Sequence, residues 1–235
     1  MKKLIITGFL LAACLFSVSA GDAAVFVDTG FSSDGTVYVF GEYGKTDKTF
    51  QGWAEIYTVN IEKNDFVSGG TFRTKPSAVT AGKSGREVYD ALAGKSFFTV
   101  NKYKCKKAAP DQVLYICGDD SKAGTDEIVF KDFSGALGKS ASYHIQLVPT
   151  IEGSGIQAKS SFYIMLEKQD ENGKVISRQK VGSPSVVRKG VTGYKIERIY
   201  CDESGSGLVF VIEKTIEDST GVLIRYMVET AKVVK

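Results

Sequence analysis

Residues 33–40, Ser33-Asp34-Gly35-Thr36-Val37-Tyr38-Val39-Phe40, decide the fold class of this chain. From Thr36 to Phe40 the residues are β-branched or aromatic, which are the types favoured in strands. The preceding Ser33-Asp34-Gly35 is a turn sequence, because Gly accepts positive φ and Asp hydrogen-bonds to its own backbone. The segment therefore predicts a turn that leads into a β-strand.

The same alternation of turns and strand-forming runs continues along the chain. Residues 54–61 alternate apolar and polar side chains, and 62–65 form a turn into 66–73, so these two runs predict a hairpin. Asn172-Gly173 and the stretch 217–221 supply two further hairpin turns. Eight more strands are predicted at 113–117, 126–133, 143–151, 161–168, 175–181, 194–201, 208–215 and 223–230.

One helix is predicted over residues 84–93. Val88 and Leu92 recur at helical spacing, Ser84 can cap the start and Gly94 can end it. Short strands joined by turns, with this one short helix near 84–93, predict a mainly β fold. We expect an antiparallel β-sandwich, a barrel or a propeller-like sheet in a single domain over residues 21–235.

The first 20 residues predict export. Lys2 and Lys3 form a positive start, an almost uncharged apolar core follows, and Val18-Ser19-Ala20 is a small-residue cleavage site. We expect a signal peptide over 1–20 that is cleaved after Ala20, and a mature protein in the periplasm or outside the cell. No later segment is long and apolar enough to predict a membrane span.

Cys14 opens a second processing route. Leu11-Ala12-Ala13-Cys14 is similar to a lipobox, at which a bacterial lipoprotein is cut and acylated on the cysteine. The apolar core continues past Cys14 through Leu15, Phe16 and Val18, which favours soluble export. Contact with the membrane is expected only if Cys14 is lipidated.

The charge balance gives no signature of nucleic-acid binding. Removal of Lys2 and Lys3 leaves 28 Lys and Arg side chains against 27 Asp and Glu. A protein that binds nucleic acid usually carries a basic excess, so no nucleic-acid partner is predicted. Lys102, Lys104, Lys106 and Lys107 form a local basic run, which we interpret as the solvated face of a hairpin.

Three cysteines remain after the leader is removed: Cys105, Cys117 and Cys201. Cys105 and Cys117 flank a segment with a turn signal at 109–112, and two antiparallel strands there would bring their sulfurs together. A disulfide between them is predicted, with three buried free thiols as the alternative. No C-x-x-C pair or nearby histidine predicts a zinc site.

The sequence assigns no catalytic, cofactor-binding or metal-binding residue. The single histidine, His144, lies on an alternating strand on the same face as Gln146 and is expected to face solvent or to lie at the rim. Glu42 and Glu55 are candidate carboxylates because aromatic residues surround them, although exposed strand carboxylates are the simpler interpretation. The acidic turns Asp119-Asp120 and Asp202-Glu203 lack calcium-loop spacing, and Gly205 and Gly207 are turn glycines without a following helix.

Several segments carry a resemblance to a known family: residues 30–35, 38–44, 54–57, 193–196 and 225–228. With these segments the chain resembles a family of predicted secreted proteins of unknown function found in spirochaetes and alphaproteobacteria. The resemblance implies export and a shared β scaffold, and it supplies no activity or cofactor. Residues 33–40 and 203–210 also resemble each other, since each is a polar turn with glycine that leads into an apolar strand. The pattern is similar to the blades of TolB-like propellers. The alternative is that the two are unrelated turns of favoured composition.

These observations favour an exported, non-enzymatic protein that binds an envelope protein or a small ligand. Two alternatives stay open. One is a secreted hydrolase that cleaves a glycan with paired carboxylates, and the other is a structural component of the envelope.

Overall fold

A computed structural model describes residues 22–118, 127–132 and 141–233. The predicted leader, with Cys14 and Ala20, lies outside the described residues, as does the Asp119-Asp120 turn. The described residues form three antiparallel sheets and one α-helix, α1 (Gly85–Asn101). No helix among them has the length and apolar character needed to cross a membrane.

Each sheet is built mainly from strands that neighbour one another in sequence. Sheet I contains β1 (Val25–Phe31), β2 (Val37–Lys45), β3 (Gly52–Asn60) and β4 (Asp65–Thr74) in that order. Sheet II contains β6 (Ile128–Lys131), β7 (Ser142–Glu152), β8 (Lys159–Gln169), β9 (Val175–Val181) and β10 (Arg188–Lys189), with both β9 and β10 paired to β8. Sheet III has the order β13 (Gly221–Lys232), β12 (Gly207–Asp218), β11 (Val191–Cys201) and β5 (Val113–Ile116).

Sheet III is the central layer, because its strand β12 is buried on both faces. Leu208, Phe210 and Ile212 pack against sheet II. Val209 and Val211 point the other way and pack against sheet I. Successive side chains of a strand point to opposite faces, so an uninterrupted apolar run can supply two cores.

Sheet I is likewise covered on both faces. Tyr38 and Phe40 of β2 face sheet III, whereas Val37 and Val39 face α1. The helix buries Val88, Tyr89 and Leu92 against that outer face, among other residues. The layers therefore follow the order helix, sheet I, sheet III, sheet II.

The helix begins where the sequence predicts and ends later. The Oγ of Ser84 accepts the Glu87 N–H at 3.2 Å, and the Glu87 carboxylate accepts the Ser84 N–H at 2.8 Å, which closes a capping box. Gly94 is an exposed position inside α1 instead of its end. The helix continues because Ser96 is buried and Val100 packs on the sheet I side, and this packing outweighs the low helix propensity of one glycine.

The predicted mainly β fold is confirmed, in its sandwich form. The 54–61 and 66–73 runs form the β3–β4 hairpin, and Gly173, at φ 78°, turns β8 into β9. The described strands do not close into a barrel, and the propeller interpretation is not confirmed. Strands β1 and β10 were not predicted from the sequence. β10 has only two residues, and β1 is interrupted by a register shift between Asp28 and Gly30.

The outer edge of β13 is closed by groups from the sheet I side of the molecule. The Ile224 N–H donates to the Asp22 carbonyl at 3.0 Å, and the Tyr226 N–H donates to Glu42 Oε2 at 2.8 Å. The Thr230 N–H donates to Asn64 Oδ1 at 2.7 Å. Unpaired edge groups invite pairing with other chains, so these bonds both join the two sheets and protect the edge.

Candidate functional site

The two similar segments form two turns at the same end of sheets I and III. In the first turn the Ser32 N–H donates to Val37 O at 2.8 Å, and the Gly35 N–H donates to Ser32 O at 2.9 Å. The second turn has the same two bonds. The Asp202 N–H donates to Gly207 O at 2.9 Å, and the Gly205 N–H donates to Asp202 O at 3.0 Å. Gly35 and Gly205 both have positive φ, at 63° and 66°. The similarity is therefore a shared turn geometry.

The carboxylate of Asp202 joins the two turns. Its Oδ1 accepts the Ser204 hydroxyl and the Ser206 N–H, both at 2.9 Å, and its Oδ2 accepts Lys232 Nζ at 3.3 Å. Lys232 Nζ also donates to the carbonyl of Gly35 at 3.2 Å. A Cβ on Gly35 would lie 2.7 Å from Asp202 Oδ2, so the first turn approaches this carboxylate more closely than a side chain would allow.

Asp202 stays charged although it is 3% exposed. Burial alone would raise the pKa of its carboxyl group. A backbone hydrogen bond from Gly207, the Ser204 hydroxyl, the Ser206 N–H and the nearby Lys232 outweigh burial and hold the pKa below its ordinary value.

A groove of about 740 Å³ lies between the two turns and the segment 106–112. Segment 106–112 forms the third wall of the groove and is hydrogen-bonded to β1 and β11, the strands that lead into the two turns. Lys106 and Phe31 exchange two backbone hydrogen bonds of 2.9 and 3.0 Å, and Gln112 Nε2 donates to the carbonyl of Cys201 at 3.2 Å. The polar residues that line the groove are Ser32, Ser33, Asp34, Lys106, Lys107, Asp111, Gln112, Asp202, Glu203 and Ser204.

The groove presents charges of both signs to solvent. Asp34, Asp111 and Glu203 are exposed carboxylates, and Lys106 and Lys107 are exposed ammonium groups. Hydrogen bonds from the Ser32 and Thr36 side chains and from the Thr36 N–H lower the pKa of Asp34 to about 2. The site therefore suits a polar ligand that carries both hydrogen-bonding groups and charges.

A second, smaller cavity of about 210 Å³ lies between α1 and sheet I. Ile56, Tyr89, Phe97, Val100 and Cys105 contribute much of its lining. Desolvation raises the pKa of the Cys105 thiol to about 11, so this thiol is protonated and a weak nucleophile at neutral pH.

The candidate carboxylates Glu42 and Glu55 lie directly opposite each other on β2 and β3. Glu42 is 3% exposed, and desolvation raises its pKa to about 7 against the lowering effect of the Tyr226 N–H. Glu55 accepts the Tyr57 hydroxyl and lies 3.4 Å from Arg73 Nε. Neither of the two cavities is lined by this pair, which instead occupies the interface between sheets I and III.

His144 lies at the rim, as predicted. Its side chain is 20% exposed, its Nδ1 is 2.9 Å from Glu127 Oε1, and its Nε2 is 3.0 Å from the Ser142 hydroxyl. Within the described ranges, no cluster of three or more His, Cys, Asp or Glu side chains is arranged to hold a metal ion.

The predicted disulfide is not seen, since no bond joins the three described cysteines. Its premise, an antiparallel hairpin around residues 106–116, is wrong. Lys106 pairs with Phe31 of sheet I, whereas β5 pairs with β11 of sheet III, so the two segments join different sheets. Cys105 packs beneath α1, and Cys117 follows the end of β5.

Sequence reasoning identified both turns but not the groove between them. The sequence interprets Asp202-Glu203 as an acidic turn without calcium-loop spacing, and Lys106 and Lys107 as part of a hairpin face, so neither pair is predicted to line a groove. The sequence feature that pointed to this site was the similarity of residues 33–40 and 203–210, because a repeated turn sequence before a strand predicts two similar loops. Lys232, which joins them, carries no local signal.

Residues 39–232 match the family described as "Predicted secreted protein (DUF2259)". The match covers most of the chain, which therefore belongs to this family, and the resemblance noted in the sequence is confirmed to that extent. No curated protein and no solved structure matches the chain.

Proposed function

We propose that this secreted protein binds a charged peptide segment of an envelope protein in the groove between the turns 32–35 and 202–205. The observation that carries the proposal is the convergence of three chain segments, each fixed by backbone or side-chain hydrogen bonds, around one polar groove. Loops held by a rigid sheet scaffold are where binding residues concentrate.

The lining of the groove favours a peptide over an apolar small molecule. Pockets for small organic ligands are mostly apolar, whereas ten side chains in this lining are polar or charged. Phe31 is the one aromatic residue in the lining, and it is 5% exposed, so it offers little surface for stacking. A peptide supplies backbone donors and acceptors together with side chains of either charge.

The same geometry argues for binding over glycan hydrolysis. Hydrolysis needs two carboxyl groups in a cleft, one of which has a raised pKa. In the groove the pKa of Asp34 is lowered to about 2 and that of Asp202 is also lowered. Three described carboxyl groups have a raised pKa, those of Asp28, Glu42 and Glu229, and none of them lines the groove.

The test is a titration of the ¹⁵N-labelled protein with synthetic peptides of mixed charge, neutral peptides and neutral oligosaccharides. Mixed-charge peptides should shift amide signals of residues 32–36, 106–112 and 202–206. Glu203→Gln and Lys107→Gln should each weaken binding about two- to fivefold, as expected for exposed charge pairs. Glu62→Gln and Lys63→Gln, on the exposed β3–β4 turn, are the matched controls and should leave affinity unchanged.

Two results would overturn the proposal. One is the absence of any groove-centred shift with the whole peptide panel. The other is binding of an oligosaccharide in the groove with no peptide binding, which would assign the site to a glycan.

A further inference from the structure

The C-terminal half of α1 exposes two phenylalanine side chains. Phe97 is 52% exposed and Phe98 is 87% exposed, with their ring centroids 5.6 Å apart in an edge-to-face arrangement. The buried face of the helix is formed by other residues, among them Val88, Tyr89 and Leu92. The Phe98 ring therefore lies outside the packing that holds the helix on sheet I, whereas Phe97 also lines the cavity between the helix and that sheet.

Exposed lysines surround these rings. Lys95 and Lys102 lie three residues before and four residues after Phe98, so they occupy its face of the helix, and Lys104 follows in the connector. Lys102 Nζ is 4.8 Å from the ring centroid of Tyr103. We call Lys95, Phe97, Phe98, Lys102 and Lys104 the basic-aromatic patch.

The patch belongs to a stretch of the chain that carries charge of one sign. Residues 91–110 contain five lysines and no acidic residue, in a protein otherwise close to neutral. Three acidic groups lie beside this stretch. Asp28 Oδ2 accepts the Ala108 N–H at 3.3 Å, Asp34 lines the groove with Lys106 and Lys107, and Asp90 is paired with Arg86 at 2.9 Å.

The sequence predicted that the basic run from Lys102 to Lys107 lies on a hairpin, and this prediction is wrong. Lys102 is the C-terminal cap of α1, and Lys104 follows in the connector with a φ of 49°. Lys102 thereby shares a face of the helix with the exposed ring of Phe98, whereas Lys106 and Lys107 line the groove.

We propose that the basic-aromatic patch docks the mature protein on an anionic phospholipid surface of the envelope. Aromatic rings enter the boundary between headgroups and acyl chains, and lysines remain at the level of the phosphates with their stems against the apolar layer. A second copy of this chain is a poorer occupant, because it would place lysines against lysines without compensating carboxylates. This docking is independent of acylation at Cys14 and of the proposed groove ligand.

The test is co-sedimentation of the mature, unacylated chain with vesicles. Vesicles of phosphatidylglycerol and phosphatidylcholine should bind the protein at low ionic strength, and pure phosphatidylcholine vesicles should bind it much more weakly. Phe98→Ser should lower the partition coefficient about tenfold. The double variant Lys95→Gln, Lys102→Gln should lower it by about tenfold or more, since each basic residue near an anionic surface contributes roughly a fivefold factor.

Phe50→Ser is the matched control, because Phe50 is a 63% exposed aromatic outside the patch, beside Lys45. It should leave the partition coefficient unchanged. Circular dichroism should show each variant folded, as expected for exposed positions. The proposal is overturned if anionic vesicles bind no protein, if Phe50→Ser and Phe98→Ser weaken binding equally, or if Phe98→Ser instead abolishes a dimer seen by sedimentation.

Discussion

Asp202 and Glu42 are both 3% exposed, and both lie at the interface of sheets I and III, yet their carboxyl groups differ in charge. Asp202, at the turn end of the interface, receives the Ser204 hydroxyl, the Ser206 N–H and the ammonium of Lys232. Glu42, in the middle of β2, receives the Tyr226 N–H on one oxygen. The pKa of Asp202 is lowered, and that of Glu42 is raised to about 7.

The difference shows that burial alone does not set the charge of a carboxyl group. Desolvation is the largest influence on both groups and raises the pKa of each. The number of donors that converge on the carboxylate decides the outcome. The turn end of the interface can therefore keep a negative charge that joins two loops, whereas the middle of the interface holds its carboxyl as a neutral or partly protonated hydrogen-bonding group.

The largest effect is expected for Asp202→Ala. The substitution removes the buried carboxylate that accepts the Ser204 hydroxyl, the Ser206 N–H and the half-buried Lys232 ammonium, and this loss should cost about 3 kcal/mol of unfolding free energy. Urea denaturation at neutral pH measures the loss. Glu203→Ala, an exposed change in the same turn, should stay within about 0.5 kcal/mol of the unmodified protein. Equal losses for the two variants would show that Asp202 does not join the turns.

Glu42→Gln should act mainly through pH. A pKa of about 7 in the folded state lies above that of the unfolded chain, so ionisation of Glu42 costs stability as pH rises from about 5 to above 7. Glutamine can still accept the Tyr226 N–H and carries no charge. We therefore compare the unfolding free energy of Glu42→Gln with that of the unmodified protein. The difference in favour of the variant should be larger at pH 8 than at pH 5, by up to about 3 kcal/mol.

Unfolding free energies measured across this pH range test the prediction, with Glu62→Gln as the exposed control. A Glu42→Gln profile parallel to that of the unmodified protein would contradict the raised pKa of Glu42. It would also remove the contrast with Asp202.

The smallest effect is expected for Asp34→Ala in the first turn. Asp34 Oδ1 accepts the Ser32 hydroxyl at 2.6 Å and the Thr36 N–H at 3.0 Å, but these bonds are partly or fully exposed to water. Their loss should cost about 1 kcal/mol, clearly less than the loss for Asp202→Ala. The lowered pKa of Asp34 also means that any stabilisation by its charge is lost only as pH falls through about 2. Urea denaturation of Asp34→Ala and Asp202→Ala compares how much each aspartate contributes to the unfolding free energy.

Much of the fold could be predicted because strands and turns are local. Ser33-Asp34-Gly35 and Asn172-Gly173 mark turns through backbone preferences that act within a few residues. The end of α1 was predicted at the wrong place because Gly94 is a weak stop signal, and the packing of Ser96 and Val100 that extends the helix is tertiary. The Cys105–Cys117 disulfide is not seen for a similar reason, since the residues of a short segment do not determine which sheet it joins.

Strands and the two similar turns could be predicted from the sequence, because apolar periodicity and turn chemistry depend on neighbouring residues. Tertiary structure alone decided that the turns would lie side by side, that Lys232 would reach the carboxylate of Asp202, and that Glu42 would be buried. These facts depend on how three sheets stack. Stacking is set by side-chain contacts between residues distant along the chain, so no local pattern encodes the charge state of a buried carboxyl group.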